Sequence, residues 1–335
     1  MRLVVFPALL AMLLLIATLA GIEVAVRAIA DDGMQFDLEM WKYARDVKIP
    51  SSDPELGHIH RPNRQARLMG VDVRTNSRGL RDRDFPLERD PSTLRVLMLG
   101  DSLTFGWGVP QDKTFSKRIE SFYRSEKISA EIINTGVGNW NTAQEVRFFI
   151  TEGYKYKPNI VVLNYFVNDA EPIPRSRNPN WIMRHCYSCV FFLGRLDAAR
   201  RLLFGGRSWD EYYLALYDGG SAEGWQNAKR AIDQLSAFCK ERNIMLIIAS
   251  LPELHDVQNY RFGGVTELVR QAAKENDVRF VDLLPQMRND ASSSLWVTPP
   301  DPHPNSLAHE RIAKGLYRVL RSLDHIRPAA FASPE

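Results

Sequence analysis

The chain has 335 residues, 45% hydrophobic and 25% charged, which excludes a disordered protein and indicates a buried core. Its 43 Lys and Arg nearly balance its 40 Asp and Glu, and a formal charge of +3 argues against a nucleic-acid binder, which normally carries a basic stripe. Three cysteines are too few for a small disulfide-held fold or a cysteine-rich zinc module.

The N-terminus carries a long apolar segment. Residues 3–22 contain no charged side chain, and at 1.5 Å per helical residue they can cross the ~30 Å hydrocarbon core of a bilayer. We predict an uncleaved transmembrane anchor in residues 1–30, with Arg2 on the cytoplasmic side and the rest of the chain exported. The alternative is a signal peptide cleaved after Ala28-Ile29-Ala30, which would leave a secreted protein.

The next region, residues 31–93, is polar and rich in Pro, Arg and Asp. It shows no long helical pattern, so we expect an irregular lead-in or wrapping subdomain. From residue 94 the chain alternates between short apolar runs and amphipathic stretches such as 222–242 and 305–323. This alternation predicts a parallel sheet with helices on both faces, over residues 94–325. The predicted strands are Leu94–Leu99, Glu131–Thr135, Asn159–Tyr165, Ile244–Ser250 and Val278–Leu283.

An insertion at residues 170–220 separates the third strand from the next helix. It leaves the carboxyl end of a strand, where α/β folds place their ligands, so it is either a substrate-shaping lid or a structural insertion. It contains Cys186 and Cys189, which in an exported protein form a disulfide or stay free thiols. A metal site is disfavoured because the sequence has no second pair of ligands at suitable spacing. Cys239 is predicted to be a core residue.

Four loops carry residues suited to nucleophilic chemistry. Gly100-Asp101-Ser102-Leu103 follows the first strand, a Gly-rich segment at 134–142 follows the second, and Asn168-Asp169 follows the third. Asp301-Pro302-His303-Pro304-Asn305 precedes the last helix. Together they supply a serine nucleophile, oxyanion donors, and an acid–histidine pair. Taken alone, Asn168-Asp169 would be an ordinary turn. Trp107, Trp140 and Trp181 are either core aromatics or a sugar-stacking platform.

In these four blocks the chain resembles the SGNH/GDSL hydrolase family, over roughly residues 94–323. The lead-in resembles that of membrane-anchored members associated with bacterial envelope or exopolysaccharide genes, at 53–57 and 75–79. The resemblance implies a flavodoxin-like, three-layer α/β/α fold with five parallel strands. It also implies that Ser102 is the nucleophile and His303 the base, and that Asn168 and the backbone amides of Ser102 and Gly138 form the oxyanion hole.

Two positions depart from the family pattern. The family usually spaces its acid and base as Asp-x-x-His, whereas the nearest acid here is Asp301, two residues before His303. We therefore predict Asp301 as the residue that orients the histidine. The family also places a glycine where Asn139 stands, with Gly138 one step earlier. Because the oxyanion donor is a backbone N–H, either residue could supply it, and we predict Gly138.

These features predict a serine esterase that needs no metal or organic cofactor. We expect it to remove a short acyl group, acetyl first among them, from an envelope or exported carbohydrate through an acyl-serine intermediate. The resemblance implies a single-pass protein of the bacterial inner membrane whose catalytic domain faces the periplasm. An O-acetyltransferase acting on an exopolysaccharide or other envelope glycan would use the same residues, and a non-catalytic polysaccharide-binding scaffold is the third alternative.

Overall fold

A computed structural model describes residues 2–173, 181–205, 208–220 and 222–323. Within these residues the chain forms two compact units. The helical unit comprises residues 2–46, 68–70 and 181–205. The sheet unit comprises residues 47–67, 71–173, 208–220 and 222–323. We describe each unit by itself.

The elements follow in chain order. The helices are α1 (Arg2–Ala30), α2 (Phe36–Asp46), α3 (Ser102–Phe105), α4 (Phe115–Ser125), α5 (Thr142–Thr151), α6 (Trp181–His185), α7 (Tyr187–Phe204), α8 (Trp209–Ala215), α9 (Glu223–Glu241), α10 (Gly263–Glu275) and α11 (Ser306–Ser322). The strands are β1 (Lys48–Pro50), β2 (His58–His60), β3 (Gln65–Leu68), β4 (Val71–Arg74), β5 (Leu94–Leu99), β6 (Ala130–Asn134), β7 (Ile160–Tyr165), β8 (Met245–Ser250), β9 (Arg279–Asp282), β10 (Trp296–Thr298) and β11 (Asp301–Pro304).

The sheet unit is built on a parallel five-stranded sheet in the order β6-β5-β7-β8-β9. This is the flavodoxin-like order. From β5 the chain first adds β6 on one side and then β7 on the other, so the order changes direction at β5. All five predicted strands are present, with ends shifted by at most one residue, so the predicted fold class is confirmed. The loops that leave β5, β6 and β7 therefore emerge side by side at the carboxyl edge, where such sheets bind ligands.

Helices cover both faces of this sheet. Alternate residues of β5 point to opposite faces, so Leu97 and Leu99 join one apolar core and Val96 and Met98 join the other. The first core is closed by apolar residues of α5, α9 and α10, and the second by those of α4 and α11. In α11, Asn305 is the N-cap and accepts hydrogen bonds from the amides of Leu307 and Ala308.

The lead-in is irregular apart from α2, the antiparallel pair β1–β2 and the two-stranded sheet β3–β4. Helix α2 lies where the sequence showed no long helical pattern. Its acidic residues Asp37 and Glu39 lie in the first turn and Arg45 in the last, which complements the helix dipole. Leu38 and Tyr43 are buried within the helical unit, so packing compensates for the weak pattern.

One helix among the described residues, Val5–Ala30 within α1, is long and apolar enough to cross a membrane, with a mean hydropathy of 2.5. An anchor and a signal sequence both meet this description. The end of the helix packs inside the helical unit. The carboxylate of Glu23 accepts hydrogen bonds from the amides of Tyr187 and Ser188 at 3.0 and 2.9 Å, and the Arg27 guanidinium lies 4.3 Å from the Tyr187 ring.

Cys186 and Cys189 form a disulfide at the start of α7, and Cys239 is a buried free cysteine whose thiol pKa burial raises to about 12. The bridge closes a very short loop, so it restricts the unfolded chain little. Replacing both residues by Ser should therefore lower the free energy of unfolding by only about 1–2 kcal/mol and leave ester hydrolysis intact. Chemical denaturation and rate measurements check this, and stoichiometric zinc lost with both cysteines would contradict it.

Candidate active site

Ser102 lies at the turn between strand β5 and the short helix α3. Gly100 has φ +154°, and a Cβ there would lie 2.0 Å from the Thr104 hydroxyl, so only glycine fits this position. Asp101 caps α3 by accepting a hydrogen bond from the amide of Leu103 at 2.8 Å. This tight turn holds the Ser102 hydroxyl at the carboxyl edge of the sheet.

Ser102, His303 and Asp301 form a continuous hydrogen-bonded chain. The Ser102 Oγ lies 2.9 Å from His303 Nε2, and His303 Nδ1 lies 2.5 Å from Asp301 Oδ1. Because an ionised carboxylate only accepts, His303 Nδ1 carries the proton, and the lone pair of Nε2 faces the Ser102 hydroxyl and can accept its proton. The shortened Asp-x-His spacing is accommodated because both residues lie on strand β11, where residues two apart share a face.

Asp301 is fully buried and receives three hydrogen bonds. His303 donates two of them, from Nδ1 and from its amide at 3.1 Å, and the Trp107 indole donates the third to Oδ2 at 2.9 Å. Burial alone would raise the pKa of Asp301, but the hydrogen bond and charge of His303, with the Trp107 bond, bring that pKa below its usual value. The carboxylate is therefore ionised at neutral pH and fixes the histidine tautomer.

Asn168 lies in a 3₁₀ turn, Val167–Ala170, directly after β7. Its side-chain amide nitrogen donates to Asp101 Oδ2 at 2.9 Å, and the same oxygen lies 3.2 Å from Ser102 Oγ. An amide nitrogen has two hydrogens, so one is held by Asp101 and the second is available for a ligand. The Asp101 carboxylate thus links the predicted nucleophile to the predicted side-chain oxyanion donor.

Gly138 lies in the loop after β6. This loop is tied to the nucleophile turn because the amide of Val137 donates to the carbonyl of Gly100 at 3.1 Å. The Gly138 carbonyl lies 3.0 Å from His58 Nε2. Asn139, where the family has glycine, adopts φ +66°, a left-handed conformation that glycine and asparagine tolerate best. The peptide that joins these two residues is therefore held in a defined orientation.

Three supporting residues were not identified from the sequence. Trp107 is a buried hydrogen-bond donor to Asp301 and not a platform, and the Lys48 ammonium donates to the Asn139 side chain at 2.7 Å. Burial, and then the charge of Lys48, lowers the pKa of His58 to about 3, so its neutral ring donates from Nε2 to Gly138. Of these three residues, only Trp107 could have been found from the sequence, because it lies five residues after Ser102.

Trp140 is also a core aromatic, with 2% of its surface exposed, and its indole donates to the carbonyl of His58 at 2.9 Å. Trp181 is 74% exposed and belongs to the helical unit. The structure thus brings Ser102, Asp301 and His303 into direct contact and links Asn168 to them through Asp101. It joins the Gly138 loop to the same turn through Gly100.

Comparison with known proteins shows which family the sequence matches. The sequence profile of the GDSL-like Lipase/Acylhydrolase family matches residues 98–311. A search of curated proteins finds no relative. Solved structures with a similar arrangement include TesA, with 10% identity, covering 68% of this chain and 99% of that one at a TM-score of 0.45.

Two further structures are similar at the same level. A mutant of Axe2, an acetyl-xylooligosaccharide esterase from Geobacillus Stearmophilus, has 13% identity, covers 67% of this chain and 93% of that one, and has a TM-score of 0.45. The psychrotrophic esterase EstA from Pseudoalteromonas sp. has 14% identity, covers 68% and 98% of the two chains, and has a TM-score of 0.41.

Proposed function

The chain belongs to the GDSL-like lipase/acylhydrolase family and is an ester-hydrolysing enzyme, and from this premise we propose that Ser102, His303 and Asp301 are its catalytic triad. The observation that carries the proposal is the unbroken chain from Ser102 Oγ through both ring nitrogens of His303 to the buried carboxylate of Asp301. The resemblance inferred from the sequence motifs is confirmed at the level of the family.

In the proposed acylation step, His303 Nε2 accepts the proton of Ser102 while Oγ attacks the ester carbonyl carbon. The carbonyl π electrons move to oxygen and form a tetrahedral oxyanion. When the electrons return, the bond to the alcohol breaks, and the imidazolium of His303 donates its proton to the leaving oxygen. Asp301 stabilises that imidazolium and keeps the ring in place.

In the proposed deacylation step, water loses a proton to His303 Nε2 and attacks the acyl-serine carbonyl. The second tetrahedral intermediate collapses, the bond to Ser102 Oγ breaks, and the histidine returns the proton to the serine. The carboxylic acid leaves. Each step uses only groups of the protein and water, so the proposed mechanism requires no metal or cofactor.

We propose that the oxyanion is held by the backbone amides of Ser102 and Gly138 and by the side-chain amide of Asn168. Asn168→Ala removes one of these donors and should lower kcat by about 10²–10³-fold, because such a donor acts mainly on the transition state. Hydrolysis of p-nitrophenyl acetate measures this, with KM expected to change much less. The matched control is Asn259→Ala, in an exposed loop, which should leave kcat unchanged. A rise in KM with an unchanged kcat would contradict the role of Asn168 as an oxyanion donor.

For the substrate, we propose an O-acetylated carbohydrate of the cell envelope or an exported polysaccharide. The support is the resemblance of the lead-in to membrane-anchored envelope proteins, together with the apolar helix that precedes it. A time course with an acetylated oligosaccharide, with and without a second oligosaccharide as acceptor, tests this. Acetate release is expected. Transfer of acetyl to the acceptor would favour the O-acetyltransferase, in which a sugar hydroxyl replaces water.

We further propose that α1 anchors the enzyme in the bacterial inner membrane, with the sheet unit in the periplasm. A chain that begins at Ile22 should be recovered in the soluble fraction with full ester hydrolysis, whereas the full chain should fractionate with membranes. Beginning at Asp31 should lower Tm as well, because Glu23 and its hydrogen bonds to Tyr187 and Ser188 are lost. Finding the native mature chain soluble, with Asp31 first, would show a cleaved signal peptide.

A further inference from the structure

Helix α8 carries exposed aromatic rings on the sheet unit. Trp209 is 40% exposed and Tyr212 is 43% exposed, which is unusual for such large rings beside a core. The helix is held in place from several directions. Ser208 and Glu211 form a capping box at its start, Arg261 forms an ion pair with Asp210, and Trp209 packs edge-on against Phe262 at 5.7 Å.

These rings are connected to the histidine of the proposed triad. The Trp209 and His255 ring centroids are 4.7 Å apart, and His255 lies 5.7 Å from Trp296. Trp296 is on strand β10 and pairs with Pro304, the residue that follows His303 on β11. The contacts therefore run without a gap from Trp209 to the hairpin that carries His303.

The same helix is also connected to the predicted oxyanion side of the site. Burial raises the pKa of Glu171, three residues after Asn168, and the nearby hydroxyls of Tyr213 and Tyr212 oppose that rise. Helix α8 thus lies beside the loop that follows β7 on one side and contacts the loop that follows β8 on the other. Both loops leave the carboxyl edge of the sheet, where Ser102 lies.

His255 has a buried acidic partner. Its Nδ1 lies 2.5 Å from Glu253 Oε1, while Glu253 is 4% exposed and the His255 side chain is 46% exposed. The hydrogen bond from His255 to Glu253 raises the pKa of His255, with burial opposing it. The ring is therefore fixed at Nδ1 and presents Nε2 as a hydrogen-bonding group beside the exposed indole.

We propose that Trp209, Tyr212 and His255 form a subsite for a pyranose ring of the ester substrate. A pyranose offers an apolar C–H face and a rim of hydroxyls, which match aromatic faces bordered by His255, Glu171 and the Asp210–Arg261 pair. A fatty acyl chain has no groups to satisfy that charged border. This inference rests on the proposed function, because it names the substrate class of the same site.

The test compares three esters of known structure: methyl glucopyranoside tetraacetate, ethyl acetate, which has the same acyl group but no ring, and ethyl octanoate, which has a long chain. We expect Trp209→Ala to lower kcat/KM for the sugar ester at least about fivefold and to leave that for ethyl acetate within about twofold. Trp209→Phe keeps a ring and should recover most of the loss.

The matched control is a tyrosine pair. Tyr212→Ala should lower kcat/KM for the sugar ester, whereas Tyr154→Ala should not, although Tyr154 is 40% exposed. Tyr154 lies in the turn Gly153–Tyr156 that precedes β7, at the opposite edge of the sheet. Three results for Trp209→Ala would each overturn the subsite: an equal fall in kcat/KM for ethyl acetate and the sugar ester, no fall for either, or a fall only for ethyl octanoate.

A binding measurement separates this inference from the proposed function. Ser102→Ala protein is titrated with methyl glucopyranoside tetraacetate while the heat of binding is followed by calorimetry, a signal that does not depend on Trp209 as a fluorophore. A saturable change that disappears in the Ser102→Ala, Trp209→Ala double variant supports the subsite even if hydrolysis fails, and the absence of saturable binding overturns it. Ethyl acetate hydrolysis that does not depend on Ser102 would instead refute the proposed triad.

Discussion

Ser102→Ala and His303→Ala are each expected to lower kcat on p-nitrophenyl acetate by a factor on the order of 10⁵–10⁶. Without the hydroxyl no acyl-serine can form, and without the imidazole nothing accepts its proton across the 2.9 Å contact. The double variant should be no slower than either single one, because the two side chains act as one unit. Both variants should fold, since the two side chains lie at the edge of the sheet and not in its core.

A fluorophosphonate probe provides a second readout for this prediction. Wild-type protein should be labelled on Ser102, and neither variant should be. Ser188→Ala, in the helical unit, is the matched serine control and should label and turn over normally. Labelling that survives in Ser102→Ala would assign the nucleophile to another residue.

Asp301→Asn is expected to lower kcat by about 10²–10⁴-fold. The amide that replaces the carboxylate can donate to His303 Nδ1, which favours the tautomer with its proton on Nε2, facing the serine. Because the pKa of Asp301 lies below its usual value, the carboxylate is ionised at neutral pH, and its replacement should lower the rate there. Trp107→Phe removes only one hydrogen bond to Asp301 and should cost much less.

The control for this substitution is Asp282→Asn. Asp282 is also an aspartate near the carboxyl edge, at the end of β9, but its carboxylate accepts a hydrogen bond from the amide of Leu284 at 3.0 Å and lies 3.7 Å from the Arg270 guanidinium. Its substitution should leave kcat close to the wild-type value. Wild-type rates for Asp301→Asn together with a collapse for Asp282→Asn would mean that another carboxylate orients the histidine.

Much of this protein could be predicted from local patterns. The five strands are continuous apolar runs because they are covered on both faces, and the parallel order follows from their alternation with helices. The residues that we propose for the active site could be chosen because they lie in loops that follow a strand or precede a helix, and the carboxyl ends of parallel strands meet at one edge. Asp301 was identifiable as the nearest acid to His303, despite the unusual spacing.

Other features were decided by contacts between distant parts of the chain. Trp107 and Trp140 are residues of the type that stacks on sugars, yet both are buried. Their indole nitrogens donate hydrogen bonds to Asp301 and to the carbonyl of His58. Nothing in the sequence indicated that His58, far before the nucleophile, holds the Gly138 carbonyl. Such pairings depend on how residues 47–67 pack against the rest of the sheet unit, which local periodicity does not encode.

By itself, the sequence determined the apolar N-terminal helix and the parallel sheet, and it predicted the residues that we propose as catalytic, because periodicity and strand-end position are local properties. Only the tertiary structure decided which aromatic side chains face solvent and which form hydrogen bonds to residues of the proposed site. Trp209 and His255 are separated in the chain, but their ring centroids lie 4.7 Å apart because helix α8 packs against the loop that follows β8. Exposure of a side chain is set by what packs against it, and that is a property of the whole fold.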